Sequence, residues 1–322
     1  MERGSRVFIT GMGGFAGGHL ARRLLEKAEV WGLDVGPAFE NASAIRGANA
    51  IECDLLDYEK TVSALERARP RYIVHLAAQS ATSISFADPS YTLKTNIFST
   101  LNLFEAALRA APGARIINAG SGDVYGGAPP SDPPVSEAAE LRPANSYAVS
   151  KAAADMLAFQ YWKARSLDVI RCRPFNHIGP GQSDRFAASA FARQIAEMES
   201  GVKKDRILKT GNLEASRDFL HVGDLVRAYE LLLDRGRGGE AYNICSGRAV
   251  RIRAILETLL SFSDENIEVV EDPSRLRPGE PDAARGDFSK LKALGWAPEL
   301  RVEDGLRALL DYWREKIGGR AA

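Results

Sequence analysis

The chain has 322 residues, 45% of them apolar, more than one typical compact unit needs and enough to fill a core. Lysine plus arginine balance aspartate plus glutamate at 42 each, so no bulk field draws in nucleic acid or an anionic membrane, and an anionic ligand must be met by local charge. No stretch approaches the roughly 20 apolar residues of a membrane helix, and Cys53, Cys172 and Cys245 lie apart in apolar runs without metal spacing, as in a cytoplasmic enzyme with buried thiols and no metal.

The first elements read strand, glycine turn, helix, strand: Arg6-Val7-Phe8-Ile9-Thr10, then Gly11 to Gly17, an amphipathic run from His19 to Lys27, and Val30 to Asp34. Glycines let the backbone turn tightly and approach a pyrophosphate, which the helix N-terminus receives with free N–H groups and its positive dipole end. Gly11, Gly13 and Ala16 fit one dinucleotide spacing, and Gly11, Gly14 and Gly17 fit another; local sequence does not choose between them.

Asp34 ends the second strand roughly 20 residues after the turn, where a carboxylate accepts hydrogen bonds from an adenosine ribose and repels a 2′-phosphate. NADH is therefore favoured over NADPH; an ordinary turn aspartate before Gly36-Pro37 is the structural alternative. A third short strand ends at Ile51-Glu52-Cys53-Asp54, placing Asp54 and Leu55 near an adenine, unless Asp54 caps the helix that follows near Asp57.

Tyr72 to Ala78 reads as a buried strand whose end at Leu76, Ala77 and Ala78 is small enough for a close cofactor approach. His75 inside it reads as a satisfied core histidine. Leu93, Ile97, Leu101, Phe104 and Leu108 recur at helical spacing, predicting a helix over Ser90 to Ala111. The strand Arg115-Ile116-Ile117-Asn118-Ala119 then leads to Ser121. Alternating strands and helices imply a doubly wound parallel α/β sheet of Rossmann type, with these residues at its carboxyl edge, where ligands bind.

A helix over Tyr147 to Ala164 carries Tyr147-Ala148-Val149-Ser150-Lys151, and i and i+4 share a face. A lysine roughly 4–6 Å from a tyrosine favours the phenolate, so Lys151 is expected to pull the Tyr147 pKa down from about 10. After the strand Asp168 to Arg173, Pro174 to Gln182 holds two prolines and two glycines in nine residues, a rigid loop that exits the first domain. We place the dinucleotide-binding domain at 1–175 with a return near 237–263, and a smaller, mainly substrate-binding α/β domain at 176–322. The scattered basic residues beyond the loop, Arg185 among them, read as solvated surface; Arg217 and Arg277, beside turn residues, are exceptions that can meet phosphate.

Gly11-x-x-Gly14-Phe15-x-Gly17, Leu76-Ala77-Ala78, Ser121-Gly122-Asp123-Val124-Tyr125-Gly126, Tyr147-x-x-x-Lys151 and Arg173-Pro174-Phe175-Asn176 together resemble the extended short-chain dehydrogenase/reductases that act on nucleotide sugars. The resemblance spans nearly the whole chain and favours the Gly11, Gly14, Gly17 register. Within that family the chain is most similar to GDP-6-deoxy-4-keto-D-mannose reductases, which make GDP-D-rhamnose; GDP-mannose 4,6-dehydratases are close relatives. The resemblance implies Ser121, Tyr147 and Lys151 as catalytic residues, and NADH or NADPH held by the glycine turn, Phe15, Asp34, Asp54, Leu55, Leu76 to Ala78, Tyr147 and Lys151. It implies a GDP-linked keto sugar held by Ser121, Asn176, Arg193, Arg217, Arg277 and Glu280. It also implies a homodimer through the helices around Ser90 to Ala111 and Tyr147 to Ala164, although those apolar stripes equally suit a core.

A dehydratase needs acid–base groups for C5 and C6 besides the tyrosine. Its relatives carry Thr-Asp-Glu or Thr-Ser-Glu where this chain has Ser121-Gly122-Asp123, so reduction is the expected reaction, with dehydration or 4-epimerisation as alternatives. A non-catalytic dinucleotide sensor is the reading from another class; such proteins usually lose the tyrosine or lysine that this chain keeps.

Overall fold

The computed structural model describes residues 1–127, 133–276 and 284–319. The chain opens with β1 (Ser5–Thr10), α1 (Phe15–Leu24), β2 (Ala28–Asp34), α2 (Gly36–Ser43), β3 (Asn49–Glu52), α3 (Tyr58–Ala68) and β4 (Tyr72–His75). The Gly36-Pro37 pair, expected as a turn, instead begins α2; proline is tolerated in the first helical turn because N–H groups there have no intrahelical partner. Asp57 caps α3, accepting the Lys60 N–H at 3.1 Å.

A short α4 (Thr82–Ala87) precedes α5 (Pro89–Leu93), which runs through a π-turn at Lys94–Phe98 into α6 (Ser99–Ala110). The expected single helix is thus one continuous rod with a widened turn. That turn lets Asn96 reach sideways: its Oδ1 accepts the Gln79 N–H at 2.8 Å, and its Nδ2 donates to Gln79 O at 3.0 Å and Ser150 Oγ at 2.8 Å.

β5 (Arg115–Ala119), α7 (Ser146–Arg165) and β6 (Val169–Pro174) follow, then β7 (Asn176–Ile178), α8 (Ala187–Glu199), β8 (Ile207–Thr210), β9 (Ser216–His221) and α9 (Val222–Arg235). β10 (Ala241–Ile244), β11 (Ala249–Arg251), α10 (Ile252–Leu260), β12 (Glu268–Glu271), α11 (Ser289–Lys292) and α12 (Val302–Gly318) complete the chain. Seven strands form one parallel sheet in the order β10-β6-β5-β4-β1-β2-β3. The order reverses between β1 and β4, which opens a crevice at the strands' carboxyl ends.

Residue alternation sorts the sheet's two faces. Val7 and Ile9 pack with Leu20, Leu24 and, from α9, Leu225 and Leu232, whereas Phe8 and Ile73 pack with Leu65, Leu103 and Phe104. Each such fully buried side chain contributes about 1.5–3 kcal/mol. A third core gathers Phe191, Ile195, Leu256, Leu309 and Trp313 from α8, α10 and α12. It backs a small sheet in the order β11-β9-β7, whose β7 follows the end of β6 after Phe175 alone. Among the described residues no helix is long and apolar enough to cross a membrane.

Candidate active site

The crevice is a cleft of about 1220 Å³ running from the glycine turn to the loops beyond β7. Gly11 stands at φ +73° with a β-carbon position only 2.8 Å from Ala77 N, so a side chain there would push the β4 loop away. A β-carbon on Gly13 would lie 1.8 Å from Ala38 O of α2. Gly14, Phe15 and Gly17 line the same wall. The Asp34 carboxylate sits opposite, accepting the Gly13 N–H at 2.9 Å and the Val35 N–H at 3.1 Å. Burial raises its pKa while these two bonds oppose the shift. A stripped glycine wall facing a held carboxylate fits the pyrophosphate and ribose of a dinucleotide.

Asp54 and Leu55 line the far end of this wall. Asp54 closes its own turn by accepting the Leu56 N–H at 2.9 Å, and Asp57 is the helix cap. Leu76, Ala77 and Ala78 line the floor. His75 lies beneath them at 4% exposure, with Nδ1 2.7 Å from Thr10 Oγ1 and Nε2 3.0 Å from Thr100 Oγ1, a core histidine with both nitrogens engaged.

Tyr147 and Lys151 enter the cleft from the first two turns of α7, which Asn145 caps by accepting the Ala148 N–H at 2.8 Å. Lys151 Nζ donates to Ala119 O at 2.7 Å, and burial lowers its pKa to about 8. The expectation that Lys151 draws the tyrosine down is corrected. Burial and the nearby Asp123 carboxylate hold the Tyr147 phenol well above its ordinary range, opposed by a hydrogen bond with Ser121. Lys151 Nζ is held at the strand carbonyl, and burial of the phenol is the larger influence on Tyr147.

Ser121 Oγ accepts the Asp123 N–H at 3.1 Å and so starts the 3₁₀ turn Gly122–Tyr125. A β-carbon on Gly122 would lie 2.9 Å from Phe175 ring carbons, so the aromatic ring fills the space an acid at 122 would need. Phe175 in turn stacks on Tyr125 at 6.3 Å, and burial pushes the Tyr125 phenol up to about 12. Arg173, expected only as part of a motif, lies beneath this layer. It reaches Asp155 Oδ1 at 3.1 Å, Asp155 Oδ2 at 2.9 Å and Tyr125 OH at 2.8 Å, and supports the floor from below.

The substrate-side expectations divide. Asn176 and Arg217 line the cleft, Arg217 Nη1 donating to Ser216 O at 2.8 Å. Arg193 is corrected: it is not among the lining residues but stands one layer behind, ion-paired with Asp184 and Glu197 over the Trp313 ring. Its two carboxylate partners satisfy the guanidinium locally. Arg277 and Glu280 fall outside the described residues. Arg185 and Arg275, neither expected, do line the cleft; Arg275, two residues from Arg277, carried a positional signal that a scatter of surface charge masked. His177 stacks on Phe15 with ring centres 5.5 Å apart, joining the glycine wall to the β7 loop.

A family model described as GDP-mannose 4,6 dehydratase matches residues 8–309. The chain is 37% identical to GDP-6-deoxy-D-mannose reductase of Pseudomonas aeruginosa, over 97% of this chain and 98% of that protein. Among solved structures, that of RMD from Pseudomonas aeruginosa complexed with NADPH superposes with a TM-score of 0.84 at 36% identity, covering 97% of this chain and 99% of that one. The dTDP-glucose 4,6-dehydratase DesIV of Streptomyces venezuelae, with NAD and TYD bound, gives 0.85 at 28% identity, with 98% of each chain covered. With its parallel sheet, glycine wall and Ser121, Tyr147 and Lys151 around one cleft, the chain belongs to the GDP-mannose 4,6 dehydratase family of NAD(P)-dependent nucleotide-sugar enzymes.

Proposed function

We propose that this protein reduces the C4 ketone of GDP-4-keto-6-deoxy-D-mannose to GDP-D-rhamnose, acting in the cytoplasm as a homodimer and favouring NADH. The observation that carries the reading is Gly122 closed against Phe175, in the turn that follows Ser121. The GDP-6-deoxy-D-mannose reductase relative supports the same substrate. A bound nicotinamide supplies the hydride. Tyr147 gives its proton to the oxygen at C4, which Ser121 hydrogen-bonds as charge develops there. Burial, with the Asp123 carboxylate beside it, raises the pKa of that phenol. Lys151 holds the nicotinamide ribose, Asn176 the sugar, and Arg217 the diphosphate, with Arg185 and Arg275 adding positive charge along the wall. Asp34 faces the adenosine ribose, where its charge opposes a 2′-phosphate.

GDP-mannose 4,6-dehydration is the second reading, favoured by the carboxylate of Asp123. It lacks the second acid, and the Phe175 ring leaves no room to restore one at 122. Incubation with GDP-mannose and NAD⁺ is expected to leave the sugar intact; appearance of the 4-keto-6-deoxy product moves the assignment to a dehydratase.

The Lys151 environment predicts a pH profile. Its ammonium is the working form, and burial places the pKa near 8. The kcat/KM for reduction is therefore expected to be level below about pH 8 and to fall about tenfold per unit above it, as the free enzyme loses that proton. Tyr147, raised, does not titrate in this range. A profile level to about pH 10 removes Lys151 from this role.

For the dimer, Tyr91 at 51%, Phe98 at 53%, Val149 at 41%, Met156 at 59% and Phe159 at 44% exposure leave an apolar face on the α5–α6 rod and α7, and α5 packs against α7. Charging Met156 and Phe159 to lysine is expected to convert a dimer to monomer in sedimentation equilibrium. A wild-type protein that sediments as a monomer at micromolar concentration removes this part of the proposal.

A further inference from the structure

His75 is used by none of the steps above, yet its surroundings fix more than a core packing role. Thr100 Oγ1 donates its single hydrogen to Asn96 O at 2.8 Å, so it can only accept from the imidazole Nε2 at 3.0 Å. A neutral ring with its proton on Nε2 leaves Nδ1 as an acceptor, and the Thr10 hydroxyl at 2.7 Å must then donate to it. Thr10 Oγ1 meanwhile accepts the Ala77 N–H at 3.2 Å. The result is a one-way chain from Ala77 through Thr10, His75 and Thr100 to the Asn96 carbonyl. The Asn96 side chain clamps Gln79 on both its N–H and its carbonyl, and donates to Ser150, whose hydroxyl donates to Tyr147 O at 2.7 Å.

We propose that His75 is a positioning residue: as its Nε2–H tautomer it holds Ala77, and with Asn96 the whole Ala77 to Gln79 loop, against the glycine wall of the dinucleotide cleft. The proposal rests on the reading of that cleft as the cofactor site. Its geometric consequence lies at Gly11, whose β-carbon position is 2.8 Å from Ala77 N, so the two backbones touch and a shift of one moves the other. Two further facts keep the ring in one state. It is 4% exposed, and burial, aided by the Lys151 charge, lowers its pKa to about 3, so the ring stays neutral in the working range and the two threonine contacts set its tautomer. The network spans five separate elements, β1, β4, the π-turn, α6 and α7, and the ring couples the directions of the bonds on its two sides.

The decisive experiment pairs a tautomer measurement with a binding measurement. In ¹⁵N-labelled protein, with the His75 signals assigned by their loss in His75→Gln, the wild-type ring is expected to carry its proton on Nε2 from about pH 5 to 8. By NADH fluorescence titration, His75→Leu is expected to raise the dissociation constant about tenfold, because two threonine hydroxyls lose their partner. His75→Gln, whose amide offers an acceptor and a donor, is expected to stay within about threefold of wild type. A proton on Nδ1 overturns the proposal even if the leucine variant does not fold; so does a folded leucine variant that binds NADH within about twofold of wild type. Absence of NADH binding by the wild type would instead overturn the dinucleotide reading on which the proposal rests.

Discussion

Replacing Tyr147 by phenylalanine is expected to lower kcat about 10²–10⁴-fold while leaving the NADH dissociation constant nearly unchanged. In the proposed reaction the phenol is the proton source, and burial, with Asp123 beside it, raises its pKa where Ser121 also hydrogen-bonds it. The ring itself is 9% exposed and packed at the start of α7, so phenylalanine keeps its shape. Nothing in the glycine wall or around Asp34 depends on the hydroxyl. Steady-state kinetics with a keto sugar, read beside a fluorescence titration, separate the two effects. Turnover within about tenfold of wild type means another group supplies the proton.

The second large effect is on stability, at Asp155. This carboxylate is 1% exposed and receives Arg171 Nη1 at 2.8 Å and Arg173 Nη2 at 2.9 Å. Asp155→Ala leaves two guanidinium groups, one of them nearly buried, without their shared counter-charge, at a cost of about 3–5 kcal/mol. The damage reaches the site, because Arg173 also holds Tyr125, against which Phe175 stacks. Urea unfolding measures it, and a loss below about 1 kcal/mol shows that water replaces the pair freely. The replacement of Arg173 by methionine together with Asp155→Leu is a milder change, since only Arg171, the less buried guanidinium, then loses its counter-charge.

The parts of this protein written in local pattern were legible before any coordinates. The apolar run Val7-Phe8-Ile9 before the glycines marked a strand, the glycines marked a backbone that something approaches, and Tyr147 and Lys151 shared a helix face. What escaped was written in contacts between distant residues. Gly36-Pro37 has the chemistry of a turn and of a helix start, and only the docking of α2 over Gly13 selects the helix. The π-turn follows from what Asn96 reaches, 17 residues back at Gln79, which periodicity over Ser90 to Ala111 cannot register. The family resemblance puts Arg193 on the substrate, and sequence does not show the ion pairs that engage it nine residues back and one helical turn on. The Tyr147 pKa went against expectation for the same reason: spacing along α7 brings Lys151 near, but registers neither the burial of the phenol nor the Asp123 carboxylate in the turn after β5.

Reduction at C4 is tested by supplying GDP-4-keto-6-deoxy-D-mannose with NADH or NADPH, following cofactor oxidation, and determining the product's configuration at C4. The proposed reduction is expected to oxidise one cofactor equivalent per sugar, faster with NADH, and to yield GDP-D-rhamnose. No oxidation of either cofactor, together with loss of water from GDP-mannose, would contradict it.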